Sequence, residues 1–557
     1  MFSETTNTTS DPVKFAEWEP KIQEYRDQLK AGILDDFKAP DHLLPSEEEL
    51  DKGLDVTEFA VKFLTPEELA ITETPGTELA AQLAAGKLTA VEVFTAFAKR
   101  ATIAHQLTNC AMQLFVDEGL ERAKELDEYY KTHGKTMGPL HGLPLSLKEH
   151  YSYKGKVTHL SYVGWLDNVS PEFALTLKDM LAQGAIFYIR TTEPQLLMHL
   201  CTNNNITGKC RNPHNTSLTP GGSSSGEGAI AAMKGSVFGL GSDIGGSIRV
   251  PAAFCGVWGL RPTQKRISLM NSVSAYVDQG QEVVYPVLGP LARNADDIDL
   301  FMKSLLDREP WTVDPLVLPI PWRDVPEPEA KSLKIAICYD DGIVKPTPPI
   351  LRALKIAEEK LKEAGVEVVE WKNTDVEKIV KACNSGYNYD GNVAQKKALA
   401  ASGEPLTKLS DIYLAFGCGD AGLTGKGVQD ICYTRDLNRV KYTQIMNDEG
   451  ISFILSPTYA SVASKPEVIK YWGYSNLWNI LDFPNVVFPS GLKVDNELDK
   501  VDESFIPRNE VEEYEYSLYT SPEDFAGAPI ALQLTGRRYC DENVVKAAKV
   551  LESIIVA

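Results

Sequence analysis

The chain has 557 residues, 43% hydrophobic and 24% charged, the balance of a globular protein long enough to bury a core without disulfide or metal staples. Its 56 basic and 77 acidic side chains leave a formal net charge of −21, which speaks against a nucleic-acid partner, since that would need a basic face. No run of about 18 apolar residues offers a spanning helix, so no membrane partner is expected.

The N-terminus, MFSETTNTTSDP, has neither a basic segment nor an apolar segment of a secretory leader. Residues 1–75 read as an N-terminal helical extension. Phe15, Trp18, Ile22, Tyr25 and Leu29 recur at steps of three and four and predict one apolar helical stripe. Ser46 with Glu49 forms a capping box, and Thr65-Pro66-Glu67-Glu68 combines an N-cap, a proline at N1 and a glutamate at N3. Packing, or contact with a second copy of the chain, is the expected role of this part. Thr89 with Glu92 opens a long helix.

A helix over about 172–183 should end at Gly184, followed by a strand over 185–189. Residues 333–339, 366–369 and 451–455 predict short buried strands. Strands alternating with helices indicate an α/β sheet covered on both faces. The proline-rich stretch 310–349 reads as a surface connection, and the acidic stretch 494–515 as a solvated loop. The C-terminal Ile554-Ile555-Val556-Ala557 matches neither a retention nor a peroxisomal address.

The nine cysteines are odd in number and include no C-x-x-C pair, which argues against a disulfide framework or a zinc ribbon and fits a reducing, cytoplasmic setting. Eight histidines are present, none beyond His214, and no H-E-x-x-H pattern occurs. No metal and no cofactor is therefore expected.

The densest signal lies between residues 219 and 263. Gly221-Gly222-Ser223-Ser224-Ser225-Gly226-Glu227-Gly228 leads into a small-residue helix and a short strand, and then Asp243-Ile244-Gly245-Gly246-Ser247-Ile248-Arg249. Glycine clusters let backbone N–H groups converge on one point, as an anion or oxyanion cradle needs. Neither a phosphate loop nor a dinucleotide fingerprint fits the spacing. Gly222-Ser223-Ser224-Ser225-Gly226 does satisfy G-x-S-x-G, but that motif needs a later histidine, and this chain has none. Tight turns with satisfied hydroxyls would explain one such cluster; two clusters exposing serine weaken that explanation.

A serine nucleophile without a histidine needs another base, and a neutral lysine can serve because the free amine accepts a proton. Leu143, Leu145 and Leu147 alternate along a half-buried strand that would carry Lys148 into the core. Taken alone, Lys148 would read as a surface residue, since lysines are rarely buried.

Together these stretches resemble the amidase signature family. The serine-rich loop at 221–228, the D-I-G-G-S-I-R loop at 243–249 and the lysine strand at 142–148 match its three motifs in order. The resemblance is clearest over 79–263 and resumes at 483–491 and 527–537. Leu107-Thr108-Asn109-Cys110 and residues 125–130 resemble its fungal acetamidase-type branch. It departs at Ser225, where many members have glycine, and at Glu149, where many have aspartate.

The resemblance implies a mixed central sheet with helices on both faces, a catalytic domain over 76–557 with core motifs at 140–263, and a Ser–cis-Ser–Lys triad. Ser247 would be the nucleophile, Ser223 the bridging serine after a cis peptide bond, and Lys148 the neutral base. The N–H groups of Ile244, Gly245, Gly246 and Ser247 would form the oxyanion hole, and the Leu197 carbonyl would face the substrate. Asp243 and Arg249 would hold the loop, with Ser224 as a supporting hydroxyl. The implied reaction is hydrolysis of small, acetamide-like amides through an acyl-enzyme. Carbamates such as ethyl carbamate, esters and anilides are alternative substrates. An amidotransferase subunit passing ammonia to a tRNA-linked acceptor is a second class, against which the N-terminal extension and the fungal-type segments weigh. A non-catalytic scaffold and a membrane-bound lipid-amide hydrolase are further alternatives.

Overall fold

The computed structural model describes residues 9–272 and 280–557. The leader reading rests largely on residues 1–8, which lie outside the described residues. Among the described residues eleven strands form one sheet: β1 (Ala111–Leu114), β2 (Pro144–Lys148), β3 (Ile186–Thr191), β4 (Phe238–Asp243), β5 (Trp258–Arg261), β6 (Val287–Ala292), β7 (Lys334–Ile337), β8 (Glu367–Glu370), β9 (Phe453–Ser456), β10 (Asn485–Lys493) and β11 (Pro529–Thr535). Their spatial order is β1-β3-β2-β4-β6-β5-β10-β11-β9-β7-β8. The β3, β2 and β4 strands run parallel, as do β9, β7 and β8, and the pairs between these two groups are antiparallel. The sheet is therefore mixed, and helices pack on both faces.

The local helix signals hold. Capping boxes at Ser46, Thr65 and Thr89 open the helices Glu47–Asp51, Pro66–Glu73 and Ala90–Thr108. The N-terminal stripe is split between two helices, Pro12–Ala16 and Glu19–Ala31. Ile22 and Tyr25 still bury against Val163, Leu166 and Ile206, with Phe15 and Trp18 packed beside them. The helix expected from 172 spans Leu175–Leu181, and the strand after it is β3.

Four expectations need correction. β2 is buried along its whole length, not half-buried, because it lies between β3 and β4 in the sheet interior. β8 is the last strand of the sheet and is partly exposed, with its two glutamates in solvent, so it is not a buried strand. The stretch 494–515 is not simply a solvated loop. Asp499, Glu512 and Glu515 are buried, and a helix forms over Glu510–Ser517. Arg352 Nε donates to Asp499 at 2.7 Å and Arg508 Nε to Glu512 at 3.0 Å, and these partners permit the burial. The proline-rich connection also tucks inward, where the buried Trp322 donates its Nε1–H to Asp299 at 2.7 Å.

Candidate active site

Period-two alternation along β2 puts Leu145 and Leu147 on one face and Ser146 and Lys148 on the other. The polar pair faces the serine-rich segment. Ser146 donates to Glu227 at 2.7 Å, while Lys148 Nζ lies 2.6 Å from Ser223 Oγ and 3.0 Å from Ser242 Oγ. Lys148 has no exposed surface. Burial pushes its pKa from 10.5 to about 8, against the opposing pull of Glu193, Asp243 and Glu227. The free amine is thus accessible near neutral pH.

The Gly222–Ser223 peptide bond is cis. Glycine at 222 has a steric reason, because a Cβ there would lie 2.5 Å from the His199 carbonyl oxygen and 2.6 Å from the Cys201 nitrogen. The serine-rich loop is thereby pressed against residues 199–201. Just upstream, Leu196 and Leu197 both adopt positive φ, 68° and 60°, a region that costs about 1 kcal/mol or more for residues with a Cβ. The Gln195 side chain anchors this turn by donating to Glu404 at 2.8 Å and accepting from the Thr407 N–H at 2.9 Å.

Ser247 lies in the second glycine-rich loop, directly after β4. The Ser224 N–H donates to the Ser247 carbonyl at 3.1 Å and joins the two loops. Ser224 Oγ bonds both the N–H and the carbonyl of Ser242, each at 3.3 Å. Among the described residues no hydrogen bond joins the Ser223 and Ser247 hydroxyls. The carbonyls of the second loop are fixed: Ile244 accepts from Tyr387 OH at 3.0 Å, Gly245 from Ser475 Oγ at 2.6 Å and Gly246 from the Val250 N–H at 2.7 Å. The N–H groups of Ile244, Gly245 and Ser247 have no partner among the described residues, although all three residues are buried. Gly246 departs from the expected cradle, since its N–H already donates to Asp243 Oδ1 at 2.9 Å.

Asp243 and Arg249 form a fully buried ion pair, with Nε 3.0 Å from Oδ2. Asp243 also accepts from the Ile248 N–H at 3.0 Å and Asn479 Nδ2 at 2.8 Å. Burial alone would raise its pKa, but the Arg249 charge and the hydrogen bonds hold it well below the usual carboxylate range. Arg249 reaches on to the Ser475 carbonyl at 3.0 Å and to Gln533 at 2.8 Å, which couples the loop to β11. The backbone and side-chain partners gathered around this one ion pair make the loop rigid.

Sequence reasoning missed several neighbours. Ser242, the second contact of Lys148, precedes Asp243 in the motif itself and could have been found from strand alternation. Glu227, held by Ser146 and by Thr191 at 2.6 Å, also stands within the motif. Tyr387, Trp472, Ser475 and Asn479 come from distant segments that carry no local signal.

A model of the Amidase family matches residues 92–545. The chain is 36% identical over 557 residues to an acetamidase of Aspergillus oryzae, covering 97% of this chain and 99% of that one. It is 37% identical over 546 residues to an acetamidase of Emericella nidulans, covering 96% and 97%. A solved structure of a fatty acid amide hydrolase is 45% identical, covers 100% of this chain and 98% of its own, and superposes with a TM-score of 0.97. The chain therefore belongs to the amidase family, hydrolases that act on amide bonds.

Proposed function

We propose that this amidase cleaves the C–N bond of small, acetamide-like amides by means of Ser247, Ser223 and Lys148. The observation that carries this reading is the 2.6 Å contact between a fully buried lysine amine and Ser223, beside a loop with three N–H groups that have no partner among the described residues. The substrate carbonyl lies against the N–H groups of Ile244, Gly245 and Ser247. Ser247 Oγ attacks the carbonyl carbon, its proton passes to Ser223 Oγ, and the Ser223 proton passes to Lys148 Nζ. For this relay the two serine hydroxyls must close on each other when substrate binds, as catalytic hydrogen bonds commonly do. The oxyanion forms where N–H donors already point, and one such donor is worth about 3–4 kcal/mol of barrier. The proton returns along the same path to the leaving nitrogen, and water then hydrolyses the acyl-enzyme in reverse. Leu197 bounds the site through its carbonyl.

The acetamidases that match end to end support a short acyl group. A second reading, longer amides, is favoured by the fatty acid amide hydrolase likeness and by one cavity. The Trp472 ring packs 3.2 Å from where a Gly245 Cβ would stand. It also lines a cavity of about 580 Å³ with Ile343, Val380, Ile412, Phe416 and Tyr471. None of these observations favours ammonia transfer to a tRNA-linked acceptor. The test is release of carboxylic acid and nitrogen product across formamide, acetamide, longer amides, urea and ethyl carbamate, with Ser247→Ala as control. Turnover of acetamide that is lost in a folded Ser247→Ala protein is expected; turnover retained at the native rate would overturn the nucleophile.

A further inference from the structure

Lys148 and Thr191 stand opposite each other in the parallel pair β2–β3. The chain continues past these strand ends to two glutamates, Glu149 and Glu193, which emerge at the same edge. Both are fully buried, and their carboxyl groups lie within hydrogen-bonding reach of each other. Their surroundings differ. Glu149 accepts the N–H groups of His159 at 2.8 Å and Leu160 at 3.0 Å, and it faces Arg190 at 3.5 Å and His159 Nε2 at 3.6 Å. Among the described residues, neither carboxyl oxygen of Glu193 receives a hydrogen bond from any donor. The Nη1 and Nη2 groups of Arg190 donate to Gln113, Tyr151, Thr158 and other groups on the Glu149 side, and its Nε reaches no acceptor among the described residues, Glu193 included.

Two ionised carboxylates cannot share a dry site with donors for one, so one of the pair keeps its proton. Glu149 has the donors that an anion needs. Glu193 lacks them, and once protonated it becomes a donor with an acceptor beside it. We propose that Glu193 carries a proton, donates it in a hydrogen bond to the Glu149 carboxylate, and by staying uncharged leaves Lys148 free to exist as an amine. Glu193 is then a positioning residue for the base, a role that rests on the reading of Lys148 given above.

The charges around the pair agree. Burial and the Glu149 charge push the Glu193 carboxyl well above the usual carboxylate range. Burial would raise Glu149 as well, but His159 and Arg190 hold it below that range. The neutral phenol of Tyr25, from the N-terminal helix, completes the enclosure. Of the other acids that act on Lys148, Asp243 is neutralised by Arg249. Burial pushes Glu227 up to about 7, against hydrogen bonds from Thr191 and Ser146. An ionised Glu193 would add an anion with no cation of its own, and would hold the lysine charged.

Two measurements test this. The first is the infrared difference between the native protein and Glu193→Gln at pH 8. Loss of a protonated-carboxyl C=O stretch is expected; loss of a carboxylate band instead would overturn the proposal. The second is the acidic limb of kcat/KM. Whatever the substitution does to kcat, the limb should keep its position in Glu193→Gln and in Glu193→Leu, since both replace one neutral group by another. A limb displaced to lower pH by about one unit or more would mean that an anion was removed, and would overturn the proposal. Either variant suffices if the other fails to fold. Should Lys148→Ala keep native turnover, the base reading falls, while the infrared band still decides whether Glu193 holds the proton.

Discussion

Replacing Lys148 with methionine separates the electrostatic cost of the base from its chemistry. The drop of the lysine pKa from 10.5 to about 8 corresponds to about 3 kcal/mol by which the folded state disfavours the ammonium. This cost is complete below about pH 8, where the lysine is charged both folded and unfolded. It fades as the pH rises toward 10.5 and vanishes above that, where both states hold the free amine. Methionine has similar length and no charge, so it removes the cost. It also removes the hydrogen bonds to Ser223 and Ser242, each worth about 1 kcal/mol. Lys148→Met should therefore be more stable than the native protein by about 1 kcal/mol at neutral pH and less stable by about 2 kcal/mol above pH 10.5. Urea unfolding of both proteins across this range reads the difference directly, and contributions of other groups cancel between them. A stability difference that stayed constant with pH would refute a lysine destabilised by burial. Amide turnover should be lost at every pH.

The remaining predictions concern rate and the loops. Because only the amine accepts a proton, kcat/KM should rise with pH through about 8, and at pH 7 it should be about a tenth of its plateau; a profile flat from pH 6 to 9 would contradict this. Gly222→Ala forces a Cβ against backbone at 2.5 Å and 2.6 Å, and should cost about 2 kcal/mol or more in unfolding measurements, together with activity. Arg249→Met leaves Asp243 buried without its cation and should cost about 3–5 kcal/mol. Adding Asp243→Asn to that variant should recover part of the loss, and no recovery would show that the pair is not coupled.

Much of this molecule is legible in its sequence where the determinant is local. Thr65 with Glu68 and Thr89 with Glu92 announce helix starts because the cap and its partner are three residues apart. The glycine-rich segments are legible for the same reason, since turn, helix and strand follow one another within about 45 residues. What fails is whatever sheet order or distant partners decide. Nothing near Lys148 reveals that β3 and β4 enclose its strand, so complete burial was beyond reach. Glu367 and Glu370 hint that β8 is exposed, but only its place at the end of the sheet makes this definite. Asp499 looks like a solvent residue until Arg352, 147 positions away, is placed beside it. In the loop after β4, the family resemblance implies four cradle donors, but the Asp243 side chain folds back and takes the Gly246 N–H. Glu193 carries no motif at all, and its interest comes only from the carboxylate that β2 brings next to it.

The most direct measurement of the central claim is covalent labelling with a fluorophosphonate, followed by peptide mass analysis. The adduct is expected on Ser247, absent in Ser247→Ala and formed far more slowly in Lys148→Ala, since the lysine draws the serine proton through Ser223. An adduct on another residue, or a labelling rate unchanged by loss of Lys148, would contradict it.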